Sequence, residues 1–345
     1  MCIRDSFGTG PIRGFATTLI IGILVSFFTA VFITRIVYEH FMNKDKWLNL
    51  TFTTKISKNL MTNTHFDFMG TNKKSLIIVS AIIVVCIGSF AIRGLSQSID
   101  FTGGRNFKVQ FENPVEPEQV RELISSKFGD ANVSVIAIGT DKKTVRISTN
   151  YRIEDEGNNV DSEIESYLYE TLKPVLTQNI TLETFIDRDN HTGGSIVSSQ
   201  KVGPSIADDI KTGAIYSVVL ALLAIGLYIL LRFRNIAYSI GSIVALSCDT
   251  IMIIGAYSLF WGILPFSLEI DQTFIGAILT AIGYSINDKV VIFDRVREFF
   301  GLYPKRDKRV LFNDSLNTTL ARTINTSLST LIVLLCIFIL SLIHI

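Results

Sequence analysis

The chain has 345 residues, 48% of them hydrophobic, with a formal net charge of +1 and a mean hydropathy of +0.40. That is too apolar for an ordinary soluble domain, and a near-neutral charge provides no domain-wide basic face for nucleic acid. No nucleophile, metal-ligand cluster or phosphate loop is spelled out, and Cys2, Cys86, Cys248 and Cys336 read as apolar filler rather than metal ligands or disulfide partners.

In chain order, MCIRDS at residues 1–6 is polar yet abuts FGTGPIRGFA, which reads as a hinge between two spans. The prefix is therefore expected to be a scar, and the final SLIHI, lacking a flanking loop, suggests that the other end is cut as well. Phe15–Thr34, Ser75–Ile92 and Thr212–Leu231 carry no charge and Ile236–Phe260 carries only Asp249; these four, Gln272–Phe293 and the run LARTINTSLSTLIVLLCIFIL starting at Leu320 are each long enough to cross about 30 Å of hydrocarbon. Between the first two spans, Phe41–Lys74 has mixed polar and aromatic content without a strong period, and reads as a linker. Its Lys44, Lys46, Lys55, Lys58, Lys73 and Lys74, the short link with Arg232 and Arg234, and the loop with Arg295, Arg297, Lys305, Arg306, Lys308 and Arg309 place three basic connections on the cytoplasmic side.

The segment Arg93–Ile210 is then one extracytoplasmic domain. Asn106–Glu112 reads as a strand and Pro117–Phe128 as a helix with Val120, Leu123, Ile124 and Phe128 on one face. Val133–Ile138 and Thr144–Thr149 read as a hairpin, Ser162–Leu176 as a second helix, and Ile180–Ile186 as a last strand. Asp187–Ser199 reads as loop, with His191 a solvated residue. The order βαββαβ predicts a ferredoxin-like α+β sandwich.

Asp288 and Arg322 are ionisable residues inside the last two spans. An ion at that depth costs roughly 2.5–3.5 kcal/mol, so it faces a partner or a watery path. Asp288 shares a helix face with Ala277, Ala281 and Tyr284, and the small residues admit a close neighbour. Thr318, Arg322, Asn325, Thr326 and Ser329 form a polar stripe on the next span. If Asp314 caps that helix, Asp288 and Arg322 lie at matching depths, and an antiparallel pair brings carboxylate and guanidinium together. Burial favours the neutral acid and a nearby guanidinium favours the carboxylate, so a balanced group can exchange a proton as its partner moves. The plain alternative is a static pair that fixes packing. Asp249, in the fourth span, is either a secondary relay group or a buried acid hydrogen-bonded to its neighbours. Lys289 points about 100° from Asp288 and is expected to snorkel to the cytoplasmic surface, with a pair to Asp249 or Asp288 as the alternative. Asp294, Arg295, Arg297 and Glu298 read as interface anchors at the cytoplasmic mouth.

The run IGYSINDKVVIFDRVRE followed by LARTINTS resembles the fourth and fifth spans of SecF proteins. SIDFTGG at Ser98–Gly104 resembles the motif that opens their periplasmic domain, and FGTGPIRGFATTLIIGILVSFFTAVFITR resembles the last span of SecD. The resemblance to the SecD/SecF family, within the RND superfamily, runs from Phe7 to about Leu340. It implies an α-helical polytopic membrane protein, an RND-like helix bundle with one inserted α+β ferredoxin-like periplasmic domain, in the bacterial inner membrane. It also implies a division into residues 1–40 (last span of a SecD-like half), 41–74 (cytoplasmic linker), 75–92 (first SecF-like span), 93–210 (periplasmic domain) and 211–345 (spans two to five, the final span missing). The implied function is to help the Sec translocase export unfolded polypeptide, driven by the proton or sodium gradient, with the SecYEG channel, a SecD-like half, the exported chain and the lipid bilayer as partners. H⁺ or Na⁺ is the coupling ion, and no other cofactor, metal or nucleic acid is expected. Carried over by position, the essential acid falls on Asp288 and the essential arginine on Arg322; Asp249, Asn325 and Thr326 are candidates for secondary relay groups from their place in the spans, not from the resemblance. The domain-opening motif falls on Asp100, Phe101, Thr102, Gly103 and Gly104, of which the glycine pair also reads as plain turn chemistry. Lys289 departs from the small Ser or Thr usual in the family. A small-molecule efflux pump and a non-transporting translocon scaffold are the rival readings.

Overall fold

The computed structural model describes residues 11–44, 65–129, 131–139, 141–155, 159–177, 180–189, 193–264 and 268–344. Residues 1–6, much of the linker and His191 lie outside the described residues. Among the described residues, six helical segments are long and apolar enough to cross a membrane: Ala16–Met42, Phe68–Arg93, Pro204–Phe233, Ile236–Phe260, Gln272–Leu302 and Lys308–Leu340. They coincide with the six predicted apolar runs, because a bilayer span must satisfy its backbone polar groups internally and a helix does so. The first comprises α1 (Pro11–Phe28), a π-helical stretch at Thr29–Ile33 and α2 (Thr34–Met42); the second is α3 (Phe68–Arg93). The others are α8 (Pro204–Phe233), α9 (Ile236–Phe260), α10 (Gln272–Leu302) and α11 (Lys308–His344). Several run past their apolar windows. Helix α11 begins at Lys308, so Asp314 is no cap: it lies within the helix and pairs with Arg306 at 2.9 Å.

Between α3 and α8 come α4 (Ile99–Thr102), β1 (Gly104–Gln110), α5 (Pro117–Phe128), β2 (Val133–Ile138), β3 (Thr144–Thr149), α6 (Val160–Leu172), α7 (Leu182–Ile186) and β4 (Ser195–Val202). The strands form an antiparallel sheet in the order β2-β3-β1-β4. Phe107 and Val109 of β1, Val145 and Ile147 of β3, Val120 and Ile124 of α5, and Ile164 and Leu168 of α6 are buried together in one core. Helix α5 and strands β2 and β3 have the predicted bounds; β1 and α6 are shifted by a few residues.

Two expectations fail at the end of this domain. Ile180–Ile186 is not a strand: Thr181 accepts a hydrogen bond from the backbone N–H of Thr184 at 3.3 Å and starts α7, which drives Phe185 fully into the core. Asp187–Ser199 is not all loop, since β4 begins at Ser195 and pairs with β1 through a bulge near Lys108. Its polar stretch SSQK hides the strand because an edge strand depends on its partner more than on its own propensity.

The chain divides into two compact units. One comprises residues up to 84, 222–250 and 272–328; the other comprises 85–221, 251–271 and 329–345. In the first, Asp67 Oδ1 accepts from the N–H of Gly70 at 2.8 Å and Asn313 Oδ1 accepts from the N–H of Phe68 at 2.8 Å. The orphan donors at the start of α3 are thus satisfied partly from α11. Helices α8 and α9 approach at Gly226, whose carbonyl accepts from Ser239 Oγ at 2.7 Å. In the second unit, Gly255 lies so close to Cys86 that an added Cβ would stand 2.2 Å from the Cys86 Cβ. Arg93 donates to the carbonyls of Leu259 and Trp261 at 2.9 and 3.0 Å, capping the end of α9.

Candidate functional site

The acid, hydroxyl and cation chemistry of the first unit gathers on α10, which carries Ser285, Asp288 and Lys289. Ser285 and Lys289, four residues apart, share the side facing α9. Lys289 Nζ donates to Asp249 Oδ2 at 2.7 Å, Ser285 Oγ donates to the same oxygen at 2.5 Å, and Lys289 Nζ also donates to Ser285 Oγ. The snorkelling expected of Lys289 therefore does not occur; a membrane-embedded carboxylate one helix away is a better partner than a distant interface. Its side chain keeps 21% of its exposure and that of Asp249 keeps 33%.

Asp288, half-buried, turns to α11 and accepts a hydrogen bond from Thr326 Oγ1 at 3.4 Å. The single Thr326 hydroxyl proton also has the Thr323 and Arg322 carbonyls within reach, at 2.9 and 3.1 Å, so the contact to Asp288 is the longest of three alternatives. Asp288 therefore approaches the predicted polar stripe at Thr326, one helical turn beyond Arg322, and among the described residues it forms no ion pair with Arg322, so the expected meeting of carboxylate and guanidinium is not formed here. Measured from the observed helix ends, Asp288 lies 302 − 288 = 14 residues from the end of α10, and Arg322 lies 322 − 308 = 14 residues from the start of α11. Each is about 21 Å of helix rise from that end of its helix. Arg322, Asn325 and Thr326 are exposed, as are Ala277 and Tyr284 on the α10 face that carries Asp288.

Towards the ends of α8 and α10, Asp294 meets Arg232 at 3.4 Å and Arg297 at 3.2 Å, and Arg295 meets Glu298 at 2.7 Å. Phe233, Tyr238 and Phe293 stack among them with centroids 4.8–5.7 Å apart.

In the second unit, SIDFTGG forms a built junction. Ser98 Oγ accepts from the Asp100 N–H at 3.2 Å, Thr102 Oγ1 donates to the Ser98 carbonyl at 3.1 Å, and Phe101 is buried. Gly103 (φ +71°) abuts Pro204, and a Cβ at Gly104 (φ +149°) would stand 2.9 Å from the Thr149 carbonyl oxygen. The pair is thus turn chemistry with a packing requirement: positive φ and close backbone approach both demand glycine. The carboxylate of Glu269, in the α9–α10 connection, pairs with Arg146 at 2.7 Å and accepts from Ser134 Oγ at 3.2 Å, while Ser98 and Ile270 join backbones at 3.0 Å. The Asp249–Lys289 pair is the alternative that the sequence left open for Lys289, whereas nothing in the sequence pointed to Glu269–Arg146. For the first, the signal was present in the Ser285–Lys289 spacing and the one acid of the fourth span. Nearby in the domain, Arg105, 2% exposed, donates to Asp161 Oδ1 at 2.9 Å and to the Tyr151 carbonyl at 2.9 Å. Arg152 is held above its ordinary range by hydrogen bonds to Asp155 and then Glu163.

Comparison with known proteins adds a consistent identity. The model of the family "Protein export membrane protein SecD/SecF, C-terminal" matches residues 158–344, and that of the "SecD/SecF GG Motif" matches residues 88–115. The protein translocase subunit SecF of Rhodothermus marinus is 37% identical over 277 residues, covering 80% of this chain and 82% of that protein. SecDF of Bacillus subtilis is 31% identical across 96% of this chain and 43% of its own length. The crystal structure of SecDF from Thermus thermophilus superposes with a TM-score of 0.73 at 27% identity, over 94% of this chain and 39% of that one. This chain therefore spans about two fifths of the fused SecDF proteins and most of the separate SecF proteins. With family models, relatives and fold in agreement, this multi-pass helical membrane protein with an inserted β-sheet periplasmic domain belongs to the SecD/SecF family of protein-export membrane proteins.

Proposed function

We propose that the chain is the SecF-containing part of a Sec translocase accessory machine that uses a transmembrane ion gradient to assist export of unfolded polypeptide. The observation carrying this reading is the 3.4 Å approach of Asp288 on α10 to the Thr326 hydroxyl on α11, one helical turn from Arg322. In that arrangement Asp288 takes up and releases the coupling ion. Arg322 supplies the charge that favours the carboxylate when the two approach, and Thr326, with Asn325 beside it, holds the acid in between. Asp249 contributes a second, paired carboxylate. One charge crossing 100 mV carries about 2.3 kcal/mol, enough to bias a conformational cycle.

The exposed faces of α10 and α11 support a partner that covers them, a SecD-like half; α1, packed with α10 in the same unit, is read as that half's last span. Residues 41–74 are read as the cytoplasmic linker, 75–92 as the first SecF-like span, 93–210 as the periplasmic domain and 211–345 as the later spans. We read the sheet domain as ferredoxin-like, supported by its β2-β3-β1-β4 antiparallel order with two helices on one face, and the bundle as RND-like. Association with the SecYEG channel and with the translocating chain belongs to the same reading. Asp100–Gly104 set the domain on its span.

The test restores the flanking segments and follows release of a precursor from vesicles with and without a proton or sodium gradient. Gradient-stimulated release that disappears in Asp288→Asn is expected. Equal release in both proteins under every gradient would leave only a translocon scaffold.

A further inference from the structure

Lys289 follows Asp288 in sequence but serves the opposite seam of α10. Its ammonium, a compact monovalent charge on a flexible stem, receives one protein oxygen from each of two helices: Asp249 Oδ2 of α9 at 2.7 Å and Ser285 Oγ of α10. Ser285 Oγ bonds the same carboxylate oxygen at 2.5 Å, so the three groups close on one another. Carboxylate and hydroxyl oxygens are the ligands that hard metal cations take. A carboxylate in a membrane span also needs a positive partner, whether bound or built in.

We infer that Lys289 is a tethered cation: its ammonium fills a monovalent-cation seat made by Asp249 and Ser285 and keeps free sodium out of the α9–α10 seam. The inference rests on the ion-coupling reading and deepens it. With this seam neutralised from within the protein, the coupling ion on this half acts at Asp288. There a single carboxylate meets a threonine hydroxyl at 3.4 Å, an arrangement suited to exchanging a proton.

The test needs no export. The purified chain in lipid nanodiscs is heated in sodium chloride and in choline chloride, as wild type, Lys289→Ser, Lys289→Arg and the double variant Asp249→Asn/Lys289→Ser. The wild type and Lys289→Arg are expected to unfold at the same temperature in both salts. Lys289→Ser should unfold about 5 °C or more lower in choline, having lost one partner of an embedded pair, and recover selectively in sodium. The double variant should lose the sodium response. The inference is overturned if Lys289→Ser behaves as wild type, if choline rescues it as well as sodium does, or if the double variant still responds to sodium. A Lys289→Ser protein that stays unfolded in sodium while the double variant folds in choline also overturns it, because sodium then does not replace the ammonium and the pair is only a structural one. An Asp288→Asn protein that still exports under a gradient would remove the parent reading while leaving the sodium response of Lys289→Ser standing.

Discussion

Helix α10 carries consecutive acid and base side chains into two different seams, and the seams are built differently. Towards α9, Lys289, Ser285 and Asp249 satisfy one another within 2.7 Å and are largely covered. Towards α11, Asp288 has a 3.4 Å contact to a hydroxyl, and the arginine one turn away is exposed. A closed ion pair resists change, because separating its members strands a charge in a poor solvent. A loosely held acid can change protonation state at small cost to the fold. Stability should therefore reside in the first seam and ion coupling in the second.

The largest expected effect breaks the second seam. Asp288→Asn should remove gradient-stimulated precursor release, up to about fifty-fold for one charge moved across 100 mV, with little change in thermal unfolding. Matching loss of release and of stability would erase the distinction between the seams. Next, Asp249→Ala strands the Lys289 ammonium and should cost about 2 kcal/mol, below the 3–5 of a fully buried pair because both side chains keep some exposure. Denaturation in nanodiscs measures it, and an unchanged midpoint would show the first seam to be no clamp. Thr326→Val removes the hydroxyl at Asp288, worth about 1 kcal/mol, so release should fall about fivefold while Arg322 remains in place. The smallest effect is expected from Ser285→Ala: about 0.5–1 kcal/mol of stability, with the gradient response intact. A Ser285→Ala protein that unfolds normally but loses the response would reverse the roles of the two seams.

Much of this was legible along the chain. Apolar runs longer than about 18 residues have few outcomes other than a span, so the six helices, and the placing of Asp288 and Arg322 within the last two, followed from local composition. Helix α5 and the β2–β3 hairpin were equally readable, since Val120, Ile124 and Phe128 or Val145 and Ile147 carry the period of their element and meet the core. Strand β4 and helix α7 were not readable. The strand SIVSSQKV exists because β1 offers it a ladder, and LETFI turns helical because Thr181 caps it while Phe185 finds a pocket.

The pairing of charges was likewise undetermined in one dimension. Helical spacing shows that Asp288 and Lys289 point about 100° apart, but which neighbour stands at each angle is a property of the packed bundle. Sequence alone established a membrane protein with an acid and an arginine on successive apolar helices. Only tertiary structure decided that Lys289 belongs to Asp249 and that Thr326 is the group of α11 that reaches Asp288. The reason is physical: hydropathy and periodicity act over a few neighbouring residues, whereas an embedded charge is assigned its partner by whichever distant helix happens to lie within hydrogen-bond reach.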